Sequence, residues 1–277
     1  MMQLLQLIKR DLIYGFRINV LHFIFISIMI SFLGAVNIYN FSQWATLNDI
    51  SLNQVNTLDI LYESFKGIGY EYEIPIVWLF INCYVIFLIG NYTYNDLFNN
   101  GPYLILRSNS KLKLWISKLV WIVCTVLFFY MVVFLIVILI SIFFIPFQID
   151  SWSVYGEQNI LPLMAYKIEG STFILELICL YVTSSIAISI FQVFLSFIFN
   201  SIYSYISVIV LLFASIFIFS PYLPGTHSMI MRHTLFDTSY NLSFEISILY
   251  NSILILLSST IGAVYFNRVD IVFKNNN

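Results

Sequence analysis

From Glu176 to Arg232 the chain reads ELICLYVTSSIAISIFQVFLSFIFNSIYSYISVIVLLFASIFIFSPYLPGTHSMIMR, with no Asp, Glu, Lys or Arg between its two ends. As one helix this stretch would be on the order of 80 Å long at about 1.5 Å per residue, far beyond the ~30 Å of a bilayer's hydrocarbon core. It must fold back on itself. The polar interruption Phe199-Asn200-Ser201-Ile202-Tyr203-Ser204 is where a turn fits. Pro221 and Pro224-Gly225 close the second limb. The stretch is thus read as two membrane-length helices, 172–199 and 204–223.

Outward from this hairpin, four further uncharged runs have spanning length: 18–39, 74–92, 119–147 and 246–266. The third is long enough to tilt or to project from the bilayer, with Pro146 marking its outer end. Composition agrees. Hydrophobic residues make up 60% of the 277 and charged ones 9%, with a mean hydropathy of +0.91. A soluble domain is roughly 45–50% apolar and about 25% charged. The expected architecture is therefore an all-α integral membrane protein of six spans, residues 18–277, preceded by an amphipathic interfacial helix over residues 1–17. In that first segment Gln3, Gln6, Arg10, Tyr14 and Arg17 fall on one face and Leu4, Leu5, Ile8 and Leu12 on the other.

The basic residues set the orientation. Lys9, Arg10 and Arg17 precede the first span, Arg107, Lys111, Lys113 and Lys118 lie between the second and third, and Arg268 and Lys274 follow the sixth. The opposite side carries ten carboxylates, among them Asp59 and Glu63, against Lys66, Lys167 and Arg232. By the positive-inside rule both termini are cytoplasmic. No small-x-small cleavage site follows the first run, which is kept as a span.

Chemistry-bearing residues are few. Cys83, Cys124 and Cys179 sit in apolar runs and read as packing residues. No zincin, nucleophile-elbow or phosphate-loop motif occurs, so no catalytic, cofactor or metal residues are expected and the chain is read as a non-enzyme. His227, His233 and Asp237 form a weak metal-site pattern, with loop histidines lacking any ligand role as the plainer reading. His22 reads as a polar packing or interface residue. Glu176 is either an interfacial carboxylate or a polar contact on a substrate path. It heads a polar seam through Thr183, Ser184, Ser185, Ser189 and Gln192 that could equally be helix packing.

The segment between the second and third spans, Asn95-Asp96-Leu97-Phe98-Asn99-Asn100-Gly101-Pro102-Tyr103-Leu104-Ile105-Leu106-Arg107-Ser108-Asn109-Ser110 and on to Lys118, resembles the cytoplasmic loop of ABC-2 type transporter permeases. Asp96, Gly101, Arg107, Ser110 and Lys118 stand at the family's charged start, glycine, turn and span-opening lysine. The Glu-Arg/Lys-Gly-Thr start and Pro-x-Ser-Arg turn common in that family are replaced here by Asn-Asp with Asn-Asn-Gly, and by Arg-Ser-Asn-Ser. The resemblance implies a bacterial plasma-membrane permease subunit driven by separate ATPase subunits and paired with a second permease half, identical or not, with no nucleic acid partner. In length and AT-rich composition it is similar to small permeases that export, or give immunity to, antimicrobial peptides.

On this reading the ATPase contact is made by Asp96, Leu97, Phe98, Gly101, Tyr103, Leu104 and Arg107, with Glu176, Ser185 and Gln192 on the substrate path. An intramembrane enzyme and an accessory scaffold are the competing readings.

Overall fold

The computed structural model describes residues 2–49, 51–68, 74–108 and 110–268, apart from the side chains of Met2, Phe98 and Arg107. The described residues form helices joined by turns. The first, α1 (Met2–Leu47), runs 46 residues without a break, about 70 Å. The helix runs through the boundary expected at residue 17 and beyond the span end expected at 39. Nothing at that point stops a helix, because the change is one of charge and no Pro intervenes.

In its first turns the buried face of α1 adjoins the expected apolar face, with Leu4, Ile8 and Leu12 half-buried and Gln3, Gln6, Tyr14 and Arg17 exposed, but the most tightly packed stripe runs beside it. Leu7, Asp11, Gly15, Asn19, Ile26, Ile30, Gly34, Ile38, Phe41 and Ala45 form the packed stripe, at helical spacing, while Leu5 and Ile13 face outward. Where the surroundings are as apolar as leucine, close packing and polar pairing choose the inward face, and hydrophobicity does not. Gly15 shows the closeness of fit, since a Cβ there would overlap the indole nitrogen of Trp121.

The stretch between the first two expected spans, residues 40–73, contains a buried helix, α2 (Thr57–Phe65). A reciprocal cap starts it: Asp59 N–H donates to Asn56 Oδ1 (3.1 Å) and Asn56 N–H to Asp59 Oδ2 (2.9 Å). Ser153 also donates to Asp59 Oδ2, whereas Asp59 Oδ1 is buried without a partner among the described residues. Burial pushes this carboxyl up to about 6, the nearby Glu63 charge adding to the effect and the Ser153 and Asn56 hydrogen bonds opposing it. A carboxyl raised in the folded state stabilises most below its ordinary value near 3.9 and loses that contribution as pH rises through about 6. Lowering the pH from 7.5 to 5 should therefore stabilise the protein by about 1 kcal/mol through this residue. Thermal melts of wild type and Asp59→Asn at both pH values check this. Equal pH responses in the two proteins would remove the assignment.

The remaining helices are α3 (Ile76–Asn95), α4 (Gly101–Ser108), α5 (Lys111–Phe144), α6 (Gly170–Ile198), α7 (Ser201–Phe217) and α8 (Phe244–Arg268). Ser110 caps α5 by accepting from Lys113 N–H (3.3 Å), and Asn200 caps α7 by accepting from Tyr203 N–H (3.0 Å). Five helices, α1, α3, α5, α6 and α8, are long and apolar enough to cross a membrane. The apolar α7 is shorter, at 17 residues.

Lys113 Nζ reaches Gln3 Oε1 (2.8 Å) at the start of α1, and Lys111 Nζ reaches the Asn267 carbonyl (3.3 Å) at the end of α8. The first and last helices thus have their outer termini at one end of the bundle. At the opposite end the linker between α7 and α8 folds inward as short 3-10 turns. Pro224, Gly225, Thr226, His227 and Ser228 are all buried there. Trp78 Nε1–H donates to Ser228 Oγ (3.0 Å), and Ser184 donates to the Pro224 carbonyl (3.3 Å).

Candidate functional site

Four charged side chains meet where α1, α3 and α5 converge. Lys118 of α5 is fully buried between two carboxylates, 2.5 Å from Asp96 Oδ2 and 2.9 Å from Asp11 Oδ1. Arg10 grips Asp96 with both terminal nitrogens, at 2.5 and 2.8 Å, and touches Asp11 Oδ1 at 2.9 Å. Ser117 donates to Asp11 Oδ2 (2.6 Å) and Asn100 Nδ2–H to Asp96 Oδ1 (2.8 Å). Lys118 Nζ lies 4.8 Å from the centroid of the Tyr92 ring, which packs on Trp121.

Two positive and two negative groups leave the cluster with no net charge. Burial alone would raise the Asp96 carboxyl, but the Arg10 hydrogen bonds, the Lys118 charge and the Asn100 amide outweigh it and hold it down at about 2. Charges taken out of water need this degree of mutual satisfaction to persist.

Asp96 also opens a π turn, Asp96–Asn100, that runs directly into α4. Gly101 keeps helical angles (φ −52, ψ −47), so Ile76 to Ser108 is one helical path with a widened turn in it. Pro102 explains the widening, because it has no N–H to donate and its ring would collide with a carbonyl one α-helical turn earlier.

Among the residues expected to contact a partner, Leu97 and Leu104 are buried, Gly101 is buried at the junction, and the Asp96 carboxylate faces the ion pairs. Tyr103 (71% exposed) and its neighbour Leu106 (77%) face outward. The side chains of Phe98 and Arg107 lie outside the described residues. Lys118, read as a span-opening positive charge, is enclosed in protein and does not face lipid headgroups. Asp11 joins the site without having been expected there, although the sequence carries a signal for it: Asp11 is the lone acid of a basic amino-terminal segment.

The polar seam of α6 faces inward. Ser185 pairs with Tyr130 of α5 at 2.7 Å, and Gln192 packs against Gly90 of α3 so closely that a Cβ at Gly90 would overlap its amide nitrogen. Gln192 Oε1 and Ser189 Oγ have no hydrogen-bond partner among the described residues. Glu176, near the amino-terminal end of α6, is part-exposed. The structure therefore brings Ser185 and Gln192 onto one buried face and leaves Glu176 at its rim. His22 contacts Tyr84 (Nδ1 to OH, 3.3 Å).

His227, His233 and Asp237 do not converge. His227 Nε2–H donates to the Pro221 carbonyl (2.9 Å) while Nδ1 accepts from Ser247 (3.0 Å), and part-exposed Asp237 caps Ser239 N–H (2.8 Å). Burial lowers both imidazoles to about 4, their backbone hydrogen bonds opposing the shift. Among the described residues no group of three or more His, Cys, Asp or Glu could hold a metal ion.

A family model described as a protein of unknown function, DUF2705, matches residues 24–272. No curated protein and no solved structure matches the chain.

Proposed function

We propose a transport role for this chain, which belongs to the DUF2705 family. It is the membrane subunit of a bacterial ABC transporter, crossing the plasma membrane six times with both termini cytoplasmic. A second permease half and separate ATPase subunits complete the complex. The observation that carries this reading is the unbroken helical path from Ile76 to Ser108. Its distal part, α4, exposes Tyr103 and Leu106, while its root at Asp96 is tied by ion pairs to α1 and α5.

A push on α4 is then transmitted to three long helices at once, through a stiff element and not a slack loop. The common end shared by Gln3 and Asn267 supports an even number of crossings. That count requires α7 to cross, its ~26 Å being extended by the turns that follow. The substrate, an amphipathic molecule such as an antimicrobial peptide, would pass the inward face of α6 at Ser185 and Gln192, with Glu176 at its outer rim.

The test uses native membranes. Cysteines at Tyr103 and Leu106 should crosslink there to an ATPase, recognised by the phosphate-loop peptide of the captured partner. The double change Tyr103→Arg, Leu106→Arg should lower ATPase co-purification and transport at least tenfold at unchanged membrane abundance. Undiminished co-purification and transport would overturn the reading. Capture of non-ATPase membrane proteins alone would favour the scaffold.

A further inference from the structure

We propose that α1 and α5 hold an anionic phospholipid of the leaflet next to the amino terminus. Near that end of α1, Gln6, Lys9, Arg10, Tyr14 and Arg17 line a basin of about 350 Å³. Arg10 is committed to Asp96 and Asp11, but Lys9 and Arg17 are exposed and make no ion pair with another described residue. Immediately along the helix, Val20, Ile24, Ser27 and Ser31 of α1 with Phe128 and Val132 of α5 line an apolar groove of about 710 Å³.

The two hollows abut. Ile13 and Arg17 of the basin are followed by Val20 and Ile24 of the groove at three- and four-residue spacing, so all four lie on one side of α1.

The groove's chemistry suits a hydrocarbon chain. Its two serines turn their hydroxyls onto their own helix, Ser27 to the Phe23 carbonyl and Ser31 to the Ser27 carbonyl, each at 2.7 Å. What they present to the groove is small and nonpolar. From Phe16 to Ser31 it follows α1 for about 22 Å, somewhat more than the ~15 Å depth of one leaflet's hydrocarbon. Two uncommitted cations at the mouth of an acyl-sized groove match a headgroup with net negative charge, each cation being worth about fivefold in affinity near a membrane surface. The inference rests on α1 crossing the membrane and is independent of the transport reading.

The experiment titrates full-length protein in detergent micelles with phosphatidylglycerol or phosphatidylcholine and counts bound lipid by native mass spectrometry. Wild type should prefer phosphatidylglycerol about tenfold or more. Lys9→Gln with Arg17→Gln should erase the preference, lowering phosphatidylglycerol affinity about 25-fold. Ser27→Trp and, as a milder filler that keeps the fold testable, Ser31→Leu should lower it at least fivefold without altering charge. Equal affinity for the two lipids would overturn the proposal. So would unchanged retention in whichever groove variants remain monodisperse, which would leave only general attraction between basic residues and anionic surfaces. Displacement of the lipid by millimolar glycerol phosphate would identify a headgroup site and overturn the groove.

Discussion

Lys118→Met should destabilise the protein by about 3–5 kcal/mol, the range for breaking a buried ion pair from one side. Methionine fills most of the lysine's volume, so the loss is electrostatic and not a cavity effect. Arg10 alone would then face two buried carboxylates, leaving one excess negative charge where wild type has none. The melting temperature of the purified protein should fall by roughly 10 °C.

Two controls separate this from mere loss of a side chain. Adding Asp11→Asn to Lys118→Met restores neutrality and should recover most of the stability, even though a second native group has been removed. Acidification should also narrow the gap between variant and wild type, because the uncompensated carboxylate can take up a proton. In wild type, the Asp96 contribution is present above about 3.9 and lost only as pH falls through about 2, so its own titration leaves wild-type stability flat from pH 5 to 7. A loss below 1 kcal/mol with no pH dependence would mean that the cluster is solvated, and α4 would lose its rigid root.

How much of this was legible in the chain depends on whether the cause was local. The break between α6 and α7 could be read because Asn200 is a short polar cap inside an apolar tract, and a capping side chain acts within three residues. The helical apolar runs were likewise visible from length and charge alone. The course of α1 was misread at Arg17 and Ile18 because a change of charge looks like a boundary while the backbone is indifferent to it.

The ion cluster was half visible. Asp96 and Lys118 are two marks of one loop in the sequence, but their pairing with each other, and the pairing of Lys118 with Asp11 at a distant sequence position, is a tertiary fact. The outward Tyr103 and inward Leu104 could not be distinguished before the α4 register was known, since both are large and apolar-bodied. Likewise α2, with Asp59 and Glu63, reads as a solvated acidic loop until the elements that bury it are in place.

Arg232→Met should open the other end of the bundle. Arg232 is buried, and its guanidinium donates to the carbonyls of Ser215 and Ile216, the latter at 2.5 Å, near the end of α7. These are among the last carbonyls of that helix and have no following turn to bond with. The positive charge also sits at the negative end of the helix dipole and 5.8 Å from the Phe219 ring centroid. Methionine would leave both carbonyls buried and unpaired, at about 1–3 kcal/mol each. Arg232→Lys should recover only part, because an ammonium lacks the planar fork that bonds both carbonyls together. The consequence reaches the α6 seam, since Pro224 of the same inward-folded linker accepts from Ser184, next to Ser185. In the wild-type background a cysteine at Ser185 should be inert to a membrane-impermeant maleimide added from outside. In Arg232→Met it should react at least tenfold faster while the protein remains in the membrane. Equal reactivity in both backgrounds would show that the linker does not close the seam, and Ser185 and Gln192 would lose their place on an outward path.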